Sequence, residues 1–181
     1  IKKCKIAIPG KMTSAFLLLQ LIIGKFDYVE MNFSDIPEAV RNGKVDAGLV
    51  IHETQLSYEQ EGNVKILDVG KWWDTETNGL PVPLGINVMK TNLGMNTIHK
   101  FDQYLQASIE YGLEHLDDAM DYAMQYSRGK PRELIEKFVK MYVNKITVNM
   151  GEKGEESIRR FFEMAKQKNL VPEFTLNIAI K

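Results

Sequence analysis

The chain of 181 residues has one cysteine, Cys4. A single thiol excludes an internal disulfide and leaves no cysteine cluster for a metal, so a reduced, cytoplasmic setting is expected. Histidine is nearly as scarce, with three in all. None of them pairs with a carboxylate at a recognised metal spacing, and no HExxH pattern occurs, so no metal is expected. There is also no charge excess: 23 basic residues against 24 acidic ones leave a net charge of −1. Without a long basic block, nucleic acid and anionic membrane are not the expected partners. The longest apolar run, "FLLLQLIIG", is too short to span a bilayer and is broken by Gln20. No signal peptide is visible, and because the chain opens on Ile1 and not on methionine, that absence carries little weight. Internal repeats and low-complexity segments are lacking as well.

What is present is an ordinary soluble composition, 44% hydrophobic and 26% charged, long enough for one sizeable core or two small lobes. "CKIAIPG" (Cys4 to Gly10) reads as a strand closed by a Pro-Gly turn. "MTSAFLLLQLIIG" follows as a helix with Thr13 or a neighbour as N-cap and Gly24 at its stop. Its apolar residues are nearly continuous, which predicts burial on most sides. "FDYVEMNF" alternates like a strand. "SDIPEAVRNG" is a short helix with Ser34 or Asp35 as cap and Pro37 in its first turn. "VDAGLVI", "NVKILDVG" and "PLGINVMK" (Pro83 to Lys90) are expected to be further strands. Strand and helix in alternation are the signature of a parallel α/β layer. After Asn92 the pattern turns helical: Ile98, Phe101, Leu105, Ile109, Leu113 and Leu116 fall at helical spacing. "DDAMDYAMQYS", "PRELIEKFVKMYVNK" and "GEESIRRFFEMAKQKN" repeat that character. The proline-broken "DTETNGLPVP" (Asp74 to Pro83) is the candidate hinge.

Two places invite chemistry. In "IPGKMTSAF" a strand, a tight turn and a helix start carrying Thr13 and Ser14 direct free backbone N–H groups at one spot. The helix dipole favours a carboxylate or phosphate there. A plain capping residue explains the same stretch. The second place is "DAGLVIHE" (Asp46 to Glu53), an apolar strand ending on His52. Ligands of open α/β sheets bind outside the carboxyl ends of the strands, and an imidazole, with an ordinary pKa of roughly 6.5, suits proton abstraction near neutral pH. The competing reading is a histidine that merely hydrogen-bonds at a strand end. Glu53 either orients that ring or faces the other way. Trp72 and Trp73, next to the candidate hinge, either wall an apolar ligand or belong to the core. Met120, Met124 and Met141 need no ligand reading.

Four segments, "IAIPGKMTSAFLLL", "VDAGLVIHE", "VKILDVGKWWDTETNGLPVPLG" and "MYVNKITVNMGEKGEESIRRFFEMA", resemble in order and spacing the 1,4-dihydroxy-6-naphthoate synthase family of the futalosine route to menaquinone. The likeness runs from Ile1 to about Pro172, and "GLVIHE" and "GKWWDTETNGLPVPLG" are its most specific parts. A sister family, the chorismate-dehydrating enzyme of the same pathway, fits these segments less well. The resemblance implies an α/β fold like a type II periplasmic binding protein, two lobes around a cleft. Residues 1–83 would form its second lobe, and residues 84–181 a crossover strand and a helical segment packed on the first lobe. It implies a carbon–carbon lyase that converts cyclic dehypoxanthinyl futalosine to 1,4-dihydroxy-6-naphthoate without a cofactor. His52 would be the general base, and Thr13, Ser14 and Ala15 would hold the substrate. The family's opening "SPCPNDTF"-like segment and most of a first lobe have no counterpart in this chain. The expectation is therefore a fragment, or a chain completed by another polypeptide, with a homo-oligomer as a further option. A non-catalytic solute-binding or sensor protein on the same scaffold is the rival reading.

Overall fold

The computed structural model describes residues 3–178. Its sheet has three strands, β1 (Ile6–Ile8), β2 (Tyr28–Glu30) and β3 (Ala47–Gly48), all parallel, in the order β2-β1-β3. Ile6 stands beside Tyr28 on one side and Ala47 on the other. The ladder runs past the formal strand ends: the Met31 N–H donates to the Ile8 carbonyl at 3.1 Å and the Leu49 N–H to the Ala7 carbonyl at 2.8 Å. Because side chains alternate along a strand, β1 feeds two separate layers. Ile6 and Ile8 pack with Phe16, Leu19 and Leu49, while Ala7 packs with Ile36, Ala39 and Val45 on the opposite face.

Two helices supply those layers. Helix α1 (Ser14–Ile23) starts at Thr13, whose side chain accepts from the Phe16 N–H, and stops at Gly24 in the left-handed region (φ 76°). One side of it covers the sheet. Its Leu18 and Leu21 pack the other way, with Trp73, Phe161, Met164 and Ala165. The near-continuous apolar run is thereby buried on two sides. Helix α2 (Ile36–Arg41), with proline in its first turn, carries the chain from β2 across β1 to β3. Ile36 is fully buried against the sheet, so that Gly48 has no room for a side chain: a Cβ there would lie 2.3 Å from Ile36 Cγ2.

The short helix α3 (Thr54–Ser57) follows β3, and α4 (Val69–Thr77) follows after a stretch without regular secondary structure. That stretch, "NVKILDVG", does not form the expected strand. The Asp68 side chain accepts from the Gly70 and Lys71 N–H groups at 3.1 and 3.0 Å, which draws Val69 and Gly70 into the first turn of α4. Leu67 still packs on the sheet layer, but Val64 is 82% exposed. "PLGINVMK" likewise has no regular secondary structure, and among the described residues it joins no ladder. Both segments have the side-chain alternation of a strand and lack the neighbour that would make one.

The chain divides into two compact units, Ile1–Gly85 with Glu156–Leu176, and Ile86–Glu155 with Asn177–Lys181. The resemblance places residues 84–181 together; in the structure residues 156–176 group with the sheet. The second half of helix α9 (Gly151–Gln167) accounts for this, because Ile158, Phe161, Met164 and Ala165 recur at helical spacing and are all buried. Ser157 adds a hydrogen bond from its hydroxyl to the Pro81 carbonyl, which also receives the Trp73 indole N–H at 3.2 Å. The other unit contains α5 (Met95–Glu114), α6 (Leu116–Met124), α7 (Arg132–Tyr142) and α8 (Lys145–Val148). Its helices bury little, chiefly Ile98, Met120 and Ile135, and leave Phe101, Tyr104, Tyr111, Tyr122 and Tyr126 exposed. No helix among the described residues is long and apolar enough to cross a membrane.

Candidate active site at the carboxyl edge of the sheet

All three strands run the same way, so the segments that leave β1, β2 and β3 emerge on one edge. β1 leads into the turn Pro9–Thr13. There the Thr13 hydroxyl donates to the Gly10 carbonyl at 2.8 Å and accepts from the Phe16 N–H at 3.2 Å. Its proton is spent in closing the turn, which gives Thr13 the capping role. The Ser14 hydroxyl donates to the Leu84 carbonyl at 2.7 Å, and its oxygen keeps lone pairs to accept with. The backbone amides of Ser14 and Ala15 lie in the first turn of α1, where a helix offers its own N–H groups no acceptor. The Ala15 side chain rests on the sheet layer. What α1 presents is therefore a pair of amides and the positive end of a helix, with one hydroxyl oxygen as acceptor.

β3 leads to His52, whose side chain is exposed and whose backbone is left-handed (φ 55°). Left-handed backbone costs a residue with a Cβ about 1–2 kcal/mol, and non-glycine residues held there cluster at functional sites. The turn is set by its neighbours. The Thr54 hydroxyl donates to the Ile51 carbonyl, and the Gln55 N–H donates to the His52 carbonyl at 3.3 Å. Thr54 is itself buried. His52 is thus presented outward by a turn anchored in the protein.

Two features of this edge escape the sequence reading. The ring of Phe33 lies 4.5 Å from that of His52, tilted by 50°. Across the edge, Lys11 and Glu30 form an ion pair at 3.1 Å, and the Lys11 N–H also donates to Glu30. The hydrogen bond from Lys11 holds the Glu30 carboxyl below its ordinary range, and the same bond raises the Lys11 ammonium. Both groups are solvated, so the pair orders the turn more than it stabilises the fold. A lysine in a turn and a glutamate at a strand end are individually commonplace, and only the pairing of β1 with β2 makes them partners.

Trp73 is fully buried, with its indole edge-to-face on Phe161 at 5.7 Å, and belongs to the core. Trp72 packs at the margin of the same cluster. Glu53 occupies the residue before α3 without capping it through its side chain. Among the described residues no group of three or more histidine, cysteine or acidic side chains is arranged to hold a metal.

A family model described as menaquinone biosynthesis matches residues 1–167, a span that takes in Thr13, Ser14, Ala15, Phe33 and His52. The chain belongs to that family. It is 36% identical over 166 residues to the 1,4-dihydroxy-6-naphthoate synthase of Thermus thermophilus, covering 92% of this chain and 61% of the relative. The synthase of the same name from Streptomyces coelicolor is 33% identical over 173 residues, again covering 61% of the relative. In three dimensions the chain is similar to a crystal structure of a protein from Archaeoglobus fulgidus, with a TM-score of 0.89 and 40% identity over 94% of this chain and 64% of that one. The chain therefore spans about three-fifths of the length of these family members.

Proposed function

We propose that this chain carries one lobe of a 1,4-dihydroxy-6-naphthoate synthase, a carbon–carbon lyase of menaquinone biosynthesis acting on cyclic dehypoxanthinyl futalosine, on a scaffold like that of the type II periplasmic binding proteins. The observation that carries the reading is His52: an accessible imidazole on a left-handed turn at the carboxyl edge of a parallel sheet, within the span shared with the family. In this scheme His52 takes a proton from the substrate and begins the cleavage and aromatisation that follow. The Ser14 and Ala15 amides, with the positive end of α1, hold a carboxylate of the substrate. Because the Ser14 proton is given to Leu84, the Ser14 oxygen accepts from a substrate hydroxyl. Thr13 shapes the turn that aims these groups.

A polypeptide equivalent to the remaining two-fifths of the family members would supply the other wall of the site. The exposed apolar residues Val64 and Ile66, and Leu84, Ile86 and Val88, are consistent with surfaces that such a partner covers. The names of the relatives speak against a solute-capture role. The test is His52→Ala in the whole protein. Turnover should fall about 10²–10⁴-fold, the usual worth of a general base, with thermal unfolding unmoved. Near-normal release of naphthoate would refute the assignment.

A further inference from the structure

We propose that Phe33 is a positioning residue for His52, a wall that fixes the imidazole in the orientation from which it takes the substrate's proton; this rests on the reading of His52 as the base. The side chains meet at 4.5 Å between ring centroids although they come from different segments, one after β2 and one after β3. Neither segment is loosely held. Phe33 opens a 3₁₀ turn (Phe33–Asp35) that the Asn32 side chain caps by accepting from the Ser34 N–H at 3.2 Å. The Ser34 hydroxyl donates to the Asn32 side chain at 3.0 Å, and the Asp35 N–H donates to the Asn32 carbonyl at 3.0 Å. Two residues before Phe33, Met31 is still hydrogen-bonded to β1. Immediately after the turn comes Ile36, the first residue of α2, which is completely buried. Phe33 is therefore pinned on both sides, half-buried, and turned to the ring of His52.

The need for such a wall follows from the backbone of His52. His52 sits on a left-handed turn with its side chain exposed. Exposed side chains exchange between rotamers in picoseconds to nanoseconds unless contacts restrain them. A base must lie within hydrogen-bond reach of the proton it abstracts, and misplacement by an ångström can cost about 10²-fold in rate. An aromatic face restrains an imidazole by dispersion and by its quadrupole while making no claim on a ring nitrogen.

The experiment uses Phe33→Leu, Phe33→Tyr and His52→Ala in the whole protein, with steady-state kinetics, thermal unfolding and the NMR shifts of the His52 ring protons. Phe33→Leu keeps most of the bulk and removes the ring. It should lower kcat by about tenfold or more, leave KM within about twofold, and abolish the ring-current displacement of the His52 protons. Phe33→Tyr should restore both the displacement and kcat to within about threefold of the parent. Full kcat in Phe33→Leu while His52→Ala is inactive overturns the positioning role alone. An unchanged His52 shift in Phe33→Leu overturns the contact itself. Near-normal turnover in His52→Ala overturns the base, and this proposal with it.

Discussion

Gly48→Ala adds one methyl group at the place where α2 crosses β3, and the structure fixes what it meets. The new Cβ would sit 2.3 Å from Ile36 Cγ2 and 3.1 Å from Val40 Cγ2. Carbon atoms rest at about 3.5–4.0 Å, so the contact with Ile36 is more than an ångström too close. Ile36 has no escape. It is completely buried, it is β-branched with one strongly preferred rotamer in a helix, and it opens α2 beside Pro37. The helix or the strand must shift instead. Overpacking of this kind costs about 1–3 kcal/mol, and the upper end is expected here. The alanine returns about 0.4–1 kcal/mol by restricting the unfolded chain. The net loss is then about 2 kcal/mol, or about 1 M in the urea midpoint for a slope of about 2 kcal/mol/M. Ile36→Ala alone should cost about 2–5 kcal/mol by leaving a cavity. In the double variant the methyl added at position 48 enters that cavity, so the two losses should fall short of their sum by about 1 kcal/mol or more. Urea unfolding of the four proteins measures this. A Gly48→Ala loss under about 0.5 kcal/mol, or strict additivity, would show that the sheet and α2 are not packed as described.

Further predictions concern the helix cap and the loop before Gly85. Burial works against the ionisation of Asp68, but the Lys71 amide, the Lys65 ammonium and the Gly70 amide together outweigh it and hold the carboxyl below its ordinary value. A depressed carboxyl stabilises the fold above its unfolded value of about 3.9, and that contribution is lost as pH falls from there through the lower folded value. Asp68→Ala should cost about 1 kcal/mol at pH 7 and less as the pH falls below about 4, measured by urea unfolding across pH; a loss independent of pH would refute the ionised cap. The Pro81 carbonyl receives both the Trp73 indole and the Ser157 hydroxyl. Ser157→Ala should therefore cost only about 1 kcal/mol, since one donor remains. With Trp73→Phe added, the combined loss should exceed the sum of the single ones, and simple additivity in thermal unfolding would mean that water reaches the carbonyl.

Much of the first unit is legible in the chain because its signals are local. Thr13 and Gly24 bracket α1, Pro37 opens α2, and the alternation of Ile6, Ala7 and Ile8 feeds two layers. The candidate site is legible only in part, for a related reason. His52 and the start of α1 declare themselves by position, at a strand end and a helix start. The Phe33–His52 and Lys11–Glu30 contacts depend on strand order, which no local pattern states. The Ser14 hydroxyl reaches a carbonyl 70 residues away, and nothing near Ser14 announces that its proton is taken.

The expected strands that do not form are informative about the same principle. "NVKILDVG" and "PLGINVMK" carry a period-two pattern, which records a face to be buried. A strand also requires an edge to pair with, because its backbone groups are satisfied by a neighbour and not by itself. Leu67 finds its face on the sheet layer, whereas Val64 and Val88 are 82% and 80% exposed. An apolar alternation without a ladder is costly for a chain to keep, since it buries nothing and offers an open edge for unwanted pairing. It is worth keeping where another stretch of polypeptide completes it. On the proposed reading that stretch belongs to the polypeptide that supplies the other wall of the site.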